Sequence, residues 1–320
     1  MIRLVLIFLS FLIIAGCSQP VTKTDLSSEK RIALTYDDGP RGDGRVFSGV
    51  ERTQALIEQF KIAETGPVAM FVTTRGLDTQ EGRDRIHDYA NAGHRIANHS
   101  RTHMWASRTD VDAYIADIDQ AEAALAPFAN RRAWFRFPYL DEGGYGDADA
   151  ALPKRDALRA ALDARSIMSG YVTVDTYDWH LEGLWQNALR DGKTVDEAAL
   201  SKVYSDMVVD AAEHYDAMAT DLLGRRPAHV LLLHENDLAA SFTADMVSAL
   251  RAKGWTIIDP DDAFTDPIAA QLPNTRFSGM GRIAALASGA GRSGADYFDH
   301  WSASEAGIED RVAADAVFID

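Results

Sequence analysis

The stretch RIALTYDDGP, residues 31–40, decides how the rest of the chain is read. Ile32, Ala33 and Leu34 form a short apolar run suited to a buried strand, which meets two adjacent carboxylates, Asp37 and Asp38, and stops at a Gly39-Pro40 turn. Successive strand side chains point to opposite sides, so the two aspartates are expected to face different ways at one strand end. Alone, the motif can be no more than an Asp-Gly turn closing a strand.

Outward from it, short apolar runs alternate with helical patterns. Strands are expected over 31–36, 68–72, 94–98, 134–136, 169–174, 228–233 and 255–258. Helices are expected over 50–60, 83–92, 110–128, 154–164 and 243–252, with one long helix or two over 195–223. This rhythm predicts an α/β fold with a parallel sheet, a distorted (β/α)7-type barrel. The expected organisation is one domain over 30–265 with a helical insert at 181–227, followed by an Ala- and Gly-rich C-terminal extension over 266–320.

Residues 1–16 place Arg3 before an apolar run from Leu4 to Ile14, too short and too weakly flanked for a spanning helix, and so read as an export signal. Ile14-Ala15-Gly16-Cys17 resembles the lipobox of bacterial lipoproteins, which implies an acylated Cys17 and a polar tether over 17–29. Cys17 is the only cysteine, so no intramolecular disulfide can form. Ser18 behind it, where that class often uses aspartate for inner-membrane retention, favours the outer membrane. The expectation is an exported, membrane-anchored lipoprotein facing the periplasm or the cell surface. The chain carries 48 acidic and 32 basic side chains, a net charge of −16, and losing the signal removes Arg3 and no acid. Such a field repels phosphate backbones and anionic lipid, which argues against nucleic acid as a partner and leaves neutral glycans compatible.

Four more stretches carry chemistry: HSRTH at 99–103, RFPY at 136–139, DTYDW at 175–179 and LLLH at 231–234. They fall at or beside the C-terminal ends of expected strands, where barrel sites sit. His99 and His103, four apart, share one face if a helix starts there. With Asp38 they supply two nitrogens and one oxygen for a divalent cation, leaving positions open for water and substrate. Two histidines and a carboxylate also describe the facial triad of a non-haem iron oxygenase, a reading that leaves Asp37, Arg136 and His234 unexplained. His87, His94, His180, His214, His229 and His300 match no motif and read as structural or solvated.

In this order, the five stretches resemble the polysaccharide deacetylases of carbohydrate esterase family four, whose NodB homology domain would cover roughly residues 30–262. The resemblance implies a NodB-like barrel and a metal-dependent hydrolase removing N-acetyl groups, with O-acetyl groups as the alternative. It implies Asp38, His99 and His103 as ligands of a divalent metal, zinc first, with cobalt, nickel, iron or manganese as alternatives, and Asp37 as general base. Arg136 would hold Asp37 ionised and oriented, and the backbone around Pro138 and Tyr139 would receive the developing oxyanion. His234, its pKa raised by Asp178, would protonate the departing amine, while Trp179 and Leu232 would wall the acetyl pocket. Asp175 either supports Arg136 or ends its strand. The implied partner is an acetylated polysaccharide: peptidoglycan, chitin-like or xylan-like. Tyr36 replaces a commoner Phe, Phe137 a smaller residue, and the inserts at 140–168 and 181–227 are longer than in compact members. A non-catalytic glycan-binding lipoprotein of the same fold is the other alternative, and the presence of both a base and an acid speaks against it.

Overall fold

The structure, a computed structural model, describes residues 29–146, 148–276, 279–292 and 299–319. The expected export signal, Cys17 and the tether up to residue 28 lie outside the described residues. Among the described residues, no helix is long and apolar enough to cross a membrane.

The strands are β1 (Lys30–Gly39), β2 (Ala69–Val72), β3 (Arg95–Asn98), β4 (Arg131–Phe135), β5 (Met168–Ser169), β6 (Thr194–Val195), β7 (Ala228–His234), β8 (Trp255–Ile257) and β9 (Phe318–Ile319). Seven of them form one sheet in the order β5-β4-β3-β2-β1-β7, all pairs parallel, with β8 against the start of β1. The helices between them are α1 (Gly49–Ile62), α2 (Gln80–Asn91), α3 (Val111–Leu125), α4 (Ala148–Ala164), α5 (Asp178–Arg190), α6 (Glu197–Leu223), α7 (Asp237–Ala252) and α8 (Pro260–Ala263). Ile32, Ala33, Leu34 and Tyr36 are fully buried, as a parallel strand covered on both faces requires. The Tyr36 hydroxyl, the group added relative to Phe, meets Thr243 Oγ1 at 3.2 Å. The expected α/β barrel rhythm is therefore present, and the long helical pattern near 195–223 is one helix, α6, of 27 residues.

One expected strand is not there. Of residues 169–174, Ser169 alone belongs to a strand, as the end of β5, and Val174 makes an isolated bridge to Leu231 of β7. Between them the chain crosses from one sheet edge to the other: Gly170 N–H reaches Phe135 O at 2.7 Å, while Thr173 and Val174 both donate to Val230 O at 3.0 Å. A segment that closes a barrel by touching both edges cannot ladder along either. Gly170 permits the crossing, because a Cβ there would sit 2.4 Å from Phe71 Cε1.

Two expected helices also begin earlier. α4 begins at Ala148 and runs through Pro153 in its second turn, and α7 begins at Asp237, capped by Asn236 accepting from Ala239 N–H. The tail forms α9 (Gly281–Gly289) and α10 (Glu305–Ala314), and β9 pairs antiparallel with β6. Ile283, Ala284, Ile308 and Val312 join the same buried cluster as the barrel strands. Each large apolar side chain fully buried this way contributes roughly 1.5–3 kcal/mol, so the tail is packed onto the barrel rather than trailing from it.

Candidate active site

The five stretches converge on a cavity of about 510 Å³ at the C-terminal ends of the strands. The two aspartates of β1 do not face opposite ways, contrary to the simple alternation expected. Asp37 Oδ2 and Asp38 Oδ1 each lie 3.6 Å from His99 Nε2. Asp38 sits at φ 72° and the pairing with β2 slips between Asp37 and Gly39, so the alternation breaks there and both carboxylates face one site.

His99 and His103 are not on a helix either. β3 ends at Asn98 and the chain turns through Ser100 at φ 68° and His103 at φ 57°. Side chains hold that turn: Asn98 Oδ1 accepts from Ser100 N–H at 2.7 Å, Ser100 Oγ from His103 N–H at 2.9 Å, and Asp117 of α3 from Arg101 N–H at 2.7 Å. Positive φ at Asp38, Ser100, His103 and Tyr139 puts uncommon backbone at one place, as functional sites tend to do.

The donor set fits a cation. One atom each from Asp38, His99 and His103 lie within 4.8 Å of one another. His99 Nδ1 donates to Arg136 O at 2.9 Å; a carbonyl can only accept, so Nε2 keeps its lone pair and faces the aspartates. Asp38 Oδ1 is buried without a hydrogen bond of good geometry, although His103 Nε2 is 3.1 Å away. An unspent buried carboxylate oxygen is costly unless something cationic takes it. Burial opposes ionisation of Asp38, but the His103 contact and the nearby His234 and His99 hold its carboxyl well below the usual range. Burial pushes His99 down to about 4, so this imidazole is neutral near pH 7. Ionised carboxylate and neutral imidazole are the forms a zinc-class ion needs.

Beside this cluster stand two polar pairs. Arg136, fully buried, donates to Asp37 Oδ1 at 2.6 Å, Thr35 Oγ1 at 2.8 Å and Gly170 O at 2.7 Å, and its guanidinium lies 3.8 Å from the Phe71 ring centroid. Burial pulls its pKa down, against the support of Asp37. His234 Nδ1 lies 2.6 Å from Asp178 Oδ1, and Asp178 Oδ2 accepts from His234 N–H and Asn236 Nδ2. Burial lowers the His234 pKa, but the Asp178 carboxylate with Asp38 and Asp37 overcomes it and raises the value to about 9. Asp175, also buried in the cavity wall, is raised to about 7 by burial, with Asp178 and Asp37 adding to it against His234.

Tyr139 lines the cavity at φ 60°, following buried Pro138. Leu232 is buried and Trp179 is 43% exposed, both on the cavity wall. Of the site residues expected from the sequence, Asp37, Asp38, His99, His103, Tyr139, Trp179, Leu232 and His234 line one cavity, Arg136 and Asp178 bond to its lining through Asp37 and His234, and Pro138 does not line it. The sequence reading missed Trp105, Leu140, Tyr145, Tyr177 and Gly279, which also line it. Trp105 stacks on Tyr139 at 3.9 Å between centroids, with Arg108 over Trp105. Its place two residues after His103 was the available signal; Gly279 carried none.

None of the curated proteins matches the chain. Among solved structures it is similar to the chitin deacetylase from Colletotrichum lindemuthianum, at 18% identity and TM-score 0.49, covering 75% of this chain and 89% of that one. It is also similar to the peptidoglycan deacetylase PdaC from Bacillus subtilis, at 18% identity and TM-score 0.46, covering 74% and 90%. A family 4 carbohydrate esterase from Streptomyces lividans, in complex with acetate, follows at 19% and TM-score 0.43, covering 73% and 95%. Residues 25–151, the span holding Asp37, Asp38, His99, His103 and Arg136, match the family model described as polysaccharide deacetylase.

Proposed function

We propose that the chain is a metal-dependent deacetylase that hydrolyses N-acetyl groups, or alternatively O-acetyl groups, of an envelope or extracellular polysaccharide. The observation that carries this reading is one cavity holding a cation-competent Asp38, His99 and His103 cluster together with Asp37 tied to Arg136 and His234 tied to Asp178. An iron oxygenase needs the first set and has no use for the other two pairs.

A divalent cation, zinc in our reading, would be held by Asp38, His99 and His103 and would acidify a water and polarise the acetyl carbonyl. Asp37 takes the proton of the attacking water; Arg136 fixes that carboxylate through its 2.6 Å hydrogen bond to Oδ1. Backbone around Pro138 and Tyr139 faces the oxygen on which charge develops. His234 gives its Nε2 proton to the departing amine, and Asp178 stabilises the imidazolium that does so. Leu232 and Trp179 supply apolar surface for the acetyl methyl group. The exposed aromatic rim suits the apolar faces of sugar rings. The lipid anchor at Cys17 and an outer-membrane station belong to the same proposal, supported by the N-terminal sequence.

The test is acetate release by zinc-loaded protein from N-acetylglucosamine oligomers, peptidoglycan and acetylated xylan. Asp37→Asn should retain the metal and lose turnover; a variant that still turns over would remove Asp37 from the role of base.

A further inference from the structure

A second, much smaller space of about 40 Å³ lies between the tail and the barrel. It has room for a water-sized particle and none for a sugar ring. Its lining carries four arginines, Arg136, Arg155, Arg159 and Arg282, and among the described residues one carboxylate, Glu142. Three of the guanidinium groups have a carboxylate at ion-pair distance: Arg136 with Asp37 at 2.6 Å, Arg155 with Asp156 at 2.7 Å and Arg159 with Glu142 at 2.6 Å. Arg282, 3% exposed, has none among the described residues. Its Nη1 donates to Ile268 O and Ala269 O and its Nη2 to Ser169 Oγ at 3.3 Å, while its Nε donates to none of them. The Tyr171 ring, 4.4 Å from this guanidinium, attracts it without neutralising it. Burial pulls the Arg282 pKa down, with Glu142 and Tyr171 raising it against Arg159. Arg136, 1% exposed, leaves its buried Nη2 without a hydrogen-bond partner. Gly281 and Arg282, in the first turn of α9, line the same space, so the positive end of that helix adds to the sum.

We propose that this space is a site for one halide ion, chloride in ordinary solution, held between Arg282 of the tail and Arg136 of the barrel, with the Ser169 hydroxyl donating beside them. Buried charges are paired in stable folds, and here one positive charge is left over. A water would satisfy the orphaned Nη2 and leave that surplus charge in place; a monovalent anion answers both. Ser169 Oγ accepts from Arg282, so its own proton is available to the ion. The size of the space favours a monatomic anion over sulfate or a carboxylate. The net charge of −16 opposes anions at long range, but salt screens that field over roughly 10 Å and acts far less on a buried cluster. The site is independent of the deacetylase reading. Its consequence is local: the ion joins the tail helix α9 to the guanidinium that fixes Asp37.

The experiment compares thermal unfolding of the full-length protein in sodium chloride, sodium bromide, sodium sulfate and sodium gluconate at equal ionic strength in halide-free buffer. Chloride and bromide should raise Tm above its value in gluconate by a saturable amount, about 4 °C at about 100 times the Kd. Arg282→Met removes the surplus charge, and the difference between halide and gluconate should vanish whatever happens to Tm itself. A purely structural role for Arg282 lowers Tm in every salt and leaves that difference standing, which overturns the proposal. Crystals of the unaltered protein grown in bromide need no variant: an anomalous peak between Arg136 and Arg282 is expected. Equal Tm in halide and gluconate, an equal rise in sulfate, or density at that place without bromide scattering, as a water gives, overturns the proposal.

Discussion

Replacing Asp178 with Asn isolates the proton-donating half of the proposed chemistry. Asp178 is fully buried and accepts from the His234 backbone, His234 Nδ1 and Asn236. Asn has the same shape and can keep an oxygen towards the two amide donors, but it then turns an NH2 towards Nδ1. That arrangement favours neutral imidazole, and it removes the main charge that raises His234 to about 9 against the downward pull of burial. The His234 pKa should fall at least to its ordinary 6.5. At pH 8 a group of pKa about 9 is roughly 90% protonated and one of 6.5 roughly 3%, so kcat should drop about thirtyfold or more; at pH 6 the same cause costs far less, about 1.3-fold for a pKa of 6.5. A bound cation lowers both values by Coulomb repulsion, so the displacement between the two enzymes, rather than either absolute limb, is the quantity to read. Steady-state kcat across pH 5 to 10 measures it. Activity requires protonated His234 and is lost as pH rises through its pKa, so the variant's alkaline limb should move to lower pH. A uniform loss with the limb unmoved would refute the assignment of His234 as the acid held by Asp178.

Other consequences are open to measurement. Loading with zinc at about 1,000 times its Kd should stabilise the fold by about 4 kcal/mol, a rise in Tm of roughly 6 °C by calorimetry, and His99→Ala should abolish the rise. Arg85 pairs with Glu235 at 2.7 Å in a site where both are buried, beside His234. Arg85→Leu leaves that buried carboxylate without its ion-pair partner, held only by Tyr89, Thr53 and the Arg41 N–H, and should cost about 3 kcal/mol in urea titration; a loss under about 1 kcal/mol contradicts this account. His94, remote from the cavity, accepts from Val68 N–H at 3.2 Å and is pushed by burial down to about 4. Its folded pKa lies below the unfolded one, so its contribution is complete above about pH 6.5 and is lost as pH falls towards 4, about 3 kcal/mol in all. His94→Leu should flatten the stability profile across that window, whatever it does to stability at pH 7.

The chemistry was legible where local sequence carries it. Ile32 to Leu34 had to be a strand because only burial on both sides suits that run, and the carboxylates behind it fall at a strand end. Arg136 was legible as a partner for Asp37, and Asp178 as one for His234, by resemblance rather than by periodicity. The backbone that aims these groups was not. Asp38 at φ 72° and the turn from Ser100 to His103 depend on Asn98, Ser100 and Asp117 hydrogen bonds, so strand alternation and helical spacing gave the wrong local picture. Residues 169–174 have the composition of a strand and serve as a crossing because the barrel needs closing there.

By itself, then, the sequence determined the α/β alternation and which side chains could bind a cation, accept a proton or give one up, since burial patterns and acid–base chemistry belong to residues and their near neighbours. Tertiary structure decided which side chains line the cavity together. The wall at Tyr145 and Gly279 joins positions more than a hundred residues apart through a positive-φ glycine and a close contact. Closeness of that kind is set by how helices and strands pack, and no stretch of the chain encodes it alone.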